Sequence, residues 1–178
     1  MDVSVAIPME KESISSINVR AAIPQDIPFL LQCRELMFRD MGYNQEDLLK
    51  QVIHASEEYM NSHIYKHDFF AWIAESKNVK SKKEELLGTG ALIIDHHIPS
   101  PRNPMGYLGY IFNLAVLPHI RRKGIATKIL HVILDWCVTR NIGIVTLHSS
   151  EMGYSLYQKM GFKSDEYYLT LDPRTYQH

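Results

Sequence analysis

The chain has 178 residues, of which 46% are hydrophobic and 22% charged, and its 19 basic residues against 20 acidic ones leave a formal net charge of −1. That length suits one globular domain burying roughly two-thirds of its unfolded surface, and the composition excludes disordered and fibrous classes. A charge balance this even sets up no global field towards nucleic acid or an anionic membrane, so any anion site has to be built locally.

Residues 1–16 lack clear periodicity and read as an N-terminal extension. Acidic Asp2, Glu10 and Glu12, with no continuous apolar core, argue against a secretory signal there. Ile17–Ala22 alternates as a short strand. Pro24 and Asp26 open a helix whose apolar positions Ile27, Leu30, Leu31, Met37, Phe38 and Met41 recur at helical spacing, and Gly42 ends it. A second helix is predicted from an N-cap at Asn44 through Leu49, Val52, Ile53, Met60 and Ile64. Phe69–Glu75 reads as a strand, Lys77–Glu85 as a charged, exposed turn, Leu86–Asp95 as a strand, and the proline-rich His96–Pro104 as a loop. Gly106–Leu117 reads as a long buried strand. The helix predicted over Arg122–Thr139 sets Ile125, Ile129, Val132, Ile133, Trp136 and Cys137 on one face. Gly143–His148 is a strand, Ser150–Met160 a short helix, and Lys163–Leu171 one or two final strands. The order β-α-α-β-β-β-α-β-α-β asks for a mixed sheet with helices on both faces.

Cys33 and Cys137 have no CxxC or metal spacing and read as small buried hydrophobes, which suits a cytoplasmic protein. No apolar run nears the roughly 20 residues of a membrane span. His63 and His67 are spaced i, i+4, but no HExxH accompanies them. His96 and His97 sit in the proline-rich loop, where a substrate contact stays open, and His119 is expected to face solvent. No metal site is expected.

The run Val116–Thr127 is the informative one. A buried strand gives way to an amphipathic helix through a basic connection with one glycine, Gly124, where the helix begins. Unpaired N–H groups at a helix N-terminus, backed by the macrodipole, form an anion site. Gly124 allows close approach to the backbone, and Ala126 and Thr127 are small. Arg121, Arg122 and Lys123 oppose the dipole unless an anion is bound. Neither a Walker loop nor a GxGxxG fingerprint is present.

Arg121 to Ala126 resembles the R/Q-x-x-G-x-G/A signature of the GCN5-related N-acetyltransferase (GNAT) superfamily. Asn113-Leu114-Ala115-Val116 with Pro118 before it, and Ile129-Leu130 after it, match the flanks. Leu156 to Phe162 looks like the family's LYxKxGF segment, and Leu147-His148-Ser149-Ser150 resembles its LHAS variant. The stretch from Val19-Arg20 to Gly42 is similar to the family's opening strand and helix. The resemblance spans nearly all of residues 17–171. It implies an α/β GNAT fold over 17–178 as a single domain. Its central sheet would be mixed and mostly antiparallel, with six or seven strands splayed between the fourth and fifth and helices on both faces.

By the same resemblance the chain is an acetyl-CoA-dependent N-acetyltransferase that works by direct amine attack. The N–H groups of Arg122, Lys123, Gly124, Ile125, Ala126 and Thr127 would hold the cofactor's pyrophosphate, with charge from Arg121 and Arg122. Leu114, Ala115 and Val116 would pair with the pantetheine arm and polarise the acetyl carbonyl. Tyr157 would protonate the departing thiolate, a sensible acid because a phenol titrates near 10 and a thiol near 8.5. Many members contact the pantetheine through an asparagine where this chain has serines, Ser149 among them; Ser149 or Ser150 also suits as a helix cap. The general base is not identified: Glu75, Glu35, Asp40 or a water chain could serve. The expected acceptor is a small-molecule amine, with a peptide or protein N-terminus as the variant of the same chemistry, no nucleic-acid or membrane partner, and a homodimer left open. The competing expectation is a non-catalytic GNAT-fold protein that binds acetyl-CoA for regulation or interaction.

Overall fold

Strand β1 (Ile17–Ala21) pairs antiparallel with β2 (Phe69–Lys77), β2 with β3 (Glu84–His96), and β3 with β4 (Tyr107–Val116). Strand β5 (Ile144–Leu147) lies parallel to β4 and so needs a crossover, which helix α3 (Ile125–Thr139) supplies. The sheet is mixed and mostly antiparallel, in the order β1-β2-β3-β4-β5. The structure is a computed structural model that describes residues 16–64, 66, 68–77, 84–165, 171 and 174. Among these the sheet has five strands rather than six or seven. The strands expected to extend it were assigned to 163–171, of which 166–170 lie outside the described residues. Residues 1–15, His67 and residues 78–83 of the charged turn lie outside them as well.

Three helices flank the sheet: α1 (Ile27–Asp40), α2 (Glu46–His63) and α3. The alternation of β2 tells which covers which face. Phe69, Ala71 and Ile73 pack with Ile27, Leu30 and Leu31 of α1 and Met60 of α2. The intervening Phe70 and Trp72 meet Trp136 of α3, at centroid distances of 4.3 and 5.6 Å. Helices α1 and α2 therefore cover one face and α3 the other. The stripe Ile125, Ile129, Leu130 and Ile133 is fully buried, each side chain contributing roughly 1.5–3 kcal/mol. Gly90 makes that docking feasible, since a Cβ there would stand 2.6 Å from Ile129 and 2.9 Å from Ile133.

Local chemistry moves several boundaries. Pro24–Asp26 forms a 3₁₀ turn before α1, in which the Asp26 carboxylate accepts from the Ile23 N–H at 2.8 Å. Helix α2 is capped from Gln45 rather than Asn44, whose side-chain amide donates to the Gly42 carbonyl at 3.3 Å instead. Helix α3 begins at Ile125, not Arg122, because Arg122 and Gly124 are left-handed at φ 65° and 78° and cannot belong to a right-handed helix.

The chain divides into two compact units, Met1–His148 and Ser149–His178. The second holds helix α4 (Glu151–Lys159), N-capped by Ser150, whose Oγ accepts from the Gly153 N–H at 3.2 Å.

Candidate functional site

Opposite Gly90, strand β4 carries two residues, Asn113 and Leu114, where regular pairing would put one. This is a β-bulge, which bends its strand and sharpens the twist. Asn113 takes the left-handed conformation it needs, φ 54°, one that asparagine tolerates better than most residues. Its side chain is 1% exposed and donates to the Leu30 carbonyl of α1 at 3.1 Å, while its own carbonyl accepts from Thr89 Oγ1 at 2.9 Å. Pairing between β4 and β5 runs only from Leu108↔Ile144 to Ile111↔Leu147, yet β4 continues to Val116. Among the described residues β4 therefore runs on past its last pair with β5, which itself ends at Leu147, and leaves a fork in the pairing there. The Leu117 N–H donates to Leu87 across β3 at 3.0 Å. By strand alternation the N–H groups of Val116 and Leu114 then face the other edge, into the fork. Ala115, between them, faces β3.

The basic turn sits at the end of that edge. Arg121 is extended, its Nε donates to the Val116 carbonyl at 2.9 Å, and its Nη2 reaches Asp40 Oδ2 at 2.6 Å. Arg122, Lys123 and Gly124 are exposed. Gly124 is the N-cap of α3 and supplies no side-chain cap; the first helical bond runs from the Lys128 N–H to the Gly124 carbonyl at 3.0 Å. The N–H groups of Ile125, Ala126 and Thr127 thus precede the hydrogen-bond ladder. A Cβ built on Gly124 meets nothing within 4 Å, so the space above the turn is open. An uncapped helix start, open space and flanking cations together suit a diphosphate.

Tyr157 and Ser149 belong to the second unit. Tyr157 lies on α4 with its ring edge-to-face against Phe162 at 5.8 Å. Ser149 directly precedes Ser150, the serine that caps α4. Tyr154, the other tyrosine of this helix, places its hydroxyl 3.0 Å from Ser164 Oγ.

The three candidate carboxylate bases are each closed on an arginine. Asp40 holds Arg121, and Glu35 holds Arg39 at 2.7 Å. Glu75, 7% exposed, accepts from Arg20 Nε at 2.8 Å and from Asn18 Nδ2 at 3.1 Å. The same Arg20 is bidentate on buried Asp26 at 2.6 and 3.0 Å. Burial works to raise the Asp26 carboxyl, but the Arg20 hydrogen bonds and charge, with the Ile23 N–H, hold it below its ordinary 3.8.

Sequence reasoning missed a pair at the fork. Tyr110 of β4 and His148, the residue after β5, hold hydroxyl and Nδ1 2.9 Å apart. The signal was a histidine closing the fifth strand; the tyrosine that meets it is 38 positions away and is found only through the parallel register.

Three other histidines have partners of their own. His63 stacks on Tyr59 at 4.0 Å, His96 on Tyr107 at 4.7 Å, and His119 lies 3.3 Å from Glu85. Cys33 and Cys137 are free and buried, and burial pushes both thiols up to about 11. Among the described residues no group of three or more His, Cys, Asp or Glu could hold a metal ion, and no helix is long and apolar enough to cross a membrane.

Comparison with known proteins supplies a context for this geometry. Residues 31–162 match the profile of the Acetyltransferase (GNAT) family. A predicted acetyltransferase of Clostridium acetobutylicum, in a crystal structure with acetyl-CoA, is similar at TM-score 0.77 and 29% identity; the match covers 92% of this chain and 100% of that one. A GCN5-related N-acetyltransferase from Ralstonia eutropha JMP134 has a TM-score of 0.77 at 24% identity, covering 88% of this chain and 99% of its own, a likeness of fold alone. The human Cysteine-rich protein 2-binding protein is 35% identical over 81 residues, 44% of this chain but 10% of that protein's length.

Proposed function

We propose, for a chain that belongs to the acetyltransferase (GNAT) family, that it is an N-acetyltransferase using acetyl-CoA on the primary amine of a small molecule. The observation behind this reading is the fork. The edge of β4 at Leu114–Val116 that faces away from β3 pairs with no strand among the described residues, and it ends beside an uncapped helix start with open space above it. The acetyl-CoA complex of the Clostridium protein supports the choice of donor, and its coverage of 92% of this chain supports reading 17–178 as one acetyltransferase domain. Two free buried thiols suit a reducing compartment such as the cytoplasm.

Bound acetyl-CoA supplies the acetyl thioester. The N–H groups of Ile125, Ala126 and Thr127 hold the pyrophosphate, Gly124 admits it, and the exposed Arg122 and Lys123 balance its charge, while Arg121, paired with Asp40, holds the turn to the end of β4. Leu114, Ala115 and Val116 line the pantetheine arm, with Ser149 as a further polar contact. An edge N–H of Leu114 or Val116 polarises the acetyl carbonyl, a donor worth about 3 kcal/mol when aimed at a developing oxyanion. With Glu35, Glu75 and Asp40 each committed to an arginine, His148 takes the proton from the amine, oriented by the Tyr110 hydroxyl. Tyr157 returns a proton to the leaving thiolate.

The test is thiol release from acetyl-CoA across a panel of amines. Tyr157→Phe and His148→Gln are each expected to lower kcat by about 100-fold, the low end for general acid–base catalysis. Cofactor binding with no release on any amine would instead support a regulatory or interaction protein.

A further inference from the structure

Arg34 of α1 is a part-buried guanidinium that the cofactor corner does not use. Its Nε donates to Ser56 Oγ of α2 at 2.9 Å, and that serine donates on to the Val52 carbonyl at 2.7 Å, so the head group is held from behind. Its Cζ lies over Phe38 at 4.8 Å and over Phe112 of β4 at 5.9 Å. Arg20, Arg39 and Arg121 each close on a carboxylate. Arg34 has none among the described residues. Burial pushes its pKa below the usual arginine value, with only the neighbouring Tyr110 opposing. A guanidinium stays charged at neutral pH, and a desolvated charge without a counter-ion is costly. Two of its nitrogens, Nη1 and Nη2, remain in the fork geometry that matches a carboxylate.

The surroundings say which ligand would bring that carboxylate. Phe112 stacks on Tyr110 at 6.4 Å, and Tyr110 reaches His148. One aromatic strip therefore runs along β4, on the face covered by α1, from the Arg34 cation to the phenol–imidazole pair at the fork. We propose that this strip is the acceptor site and that Arg34 receives a carboxylate of the acceptor, so that the substrate class is amines that also bear a carboxylate, in free amino acids or at a peptide C-terminus. The proposal rests on the acetyl-transfer reading for the amine end, and on Arg34 alone for the acid end.

Two measurements separate those dependences. In turnover, glycine, β-alanine, 4-aminobutanoate and glycylglycine are compared with the corresponding amides. The wild type is expected to prefer acids over amides by at least tenfold in kcat/KM, carried mainly by KM. Arg34→Gln should bring that ratio near one, and Arg34→Lys, which keeps charge but not the fork, should restore part of it. The dipeptide arm distinguishes a peptide terminus from a free amino acid. In binding, the acetylated acids and their amides are titrated calorimetrically into protein saturated with CoA, with melting curves confirming that each variant is folded. Selective binding of the acids that Arg34→Gln removes is the expected result. Acid-selective binding without any thiol release would overturn acetyl transfer and leave the carboxylate site standing. Equal binding of acid and amide, or a preference that survives Arg34→Gln, would overturn the carboxylate site whatever the turnover.

Discussion

Gly124 joins two demands that one substitution can separate. Its φ of 78° makes any other residue strained, at roughly 1–2 kcal/mol, but its missing Cβ leaves open space, so the cost stays in the backbone. Gly124→Ala should therefore fold, lose about 1 kcal/mol in urea unfolding, and keep CoA affinity within tenfold. Gly124→Glu carries the same strain and adds an anion where the pyrophosphate would lie. It should fold equally well yet lose CoA binding by more than 100-fold in calorimetry; an unchanged affinity would remove the anion site.

Arg20 poses the opposite case, a residue whose work is in the fold. It serves Asp26 and Glu75, which are 6% and 7% exposed. Arg20→Met would strand two buried carboxylates, and because Arg20 is itself 32% exposed, the low end of the range for a broken buried pair applies, about 3 kcal/mol. The pH dependence follows from Asp26. Its carboxyl is held below its ordinary 3.8 in the folded state. The stabilisation is thus fully present above that value and is lost as pH falls through the lower, folded one. Urea unfolding should show the gap between wild type and Arg20→Met at neutral pH and narrow it below about pH 4; a gap independent of pH would assign the loss to packing.

At the scale of elements, the end of β4 has two edges with different duties. Ala115 directs its N–H to β3, and Val116 directs its own into the fork, where the cofactor arm would pair. Proline removes the N–H in both cases. Ala115→Pro should lower the melting temperature sharply by breaking a ladder bond. Val116→Pro should spare most of the stability and weaken CoA binding about tenfold, near the 1.4 kcal/mol of one hydrogen bond. Equal effects of the two would mean that the strand does not divide its labour this way.

These edges also mark where reading the sequence stops. The stripe Ile125, Ile129, Ile133 on α3 and the signature Arg121–Ala126 are local patterns, and both element and turn follow from them. The bulge does not, because Gly106–Leu117 reads as one unbroken apolar strand. The left-handed Asn113 goes with partners distant in sequence, Thr89 across the ladder and Leu30 on α1. The Tyr110–His148 pair is hidden for the same reason: its two members meet through a parallel register set by the packing of α3. Nor does spacing show that Asp40, Glu35 and Glu75 already hold arginines, since two of those three partners come from other elements.

For the whole molecule, a net charge of −1 means that recognition of a polyanionic cofactor cannot draw on a general positive field. Under the proposed function it would rest on the amides of α3, the edge of β4 and the exposed Arg122 and Lys123, all within the first unit and joined to its buried face through Ile125, Ile129 and the Asn113 bulge. A ligand gripped there binds only the folded chain, so its binding free energy adds to stability. At CoA concentrations 100-fold above Kd the gain is about 2.7 kcal/mol. For a chain of this length, at roughly 2–4 °C per kcal/mol, thermal unfolding should shift upward by about 5–10 °C. Pantetheine, which keeps the arm but lacks the pyrophosphate, should at the same concentration raise Tm far less, and Gly124→Glu should show no shift with CoA. Equal shifts from CoA and pantetheine would move recognition away from the start of α3 and onto the strand edge alone.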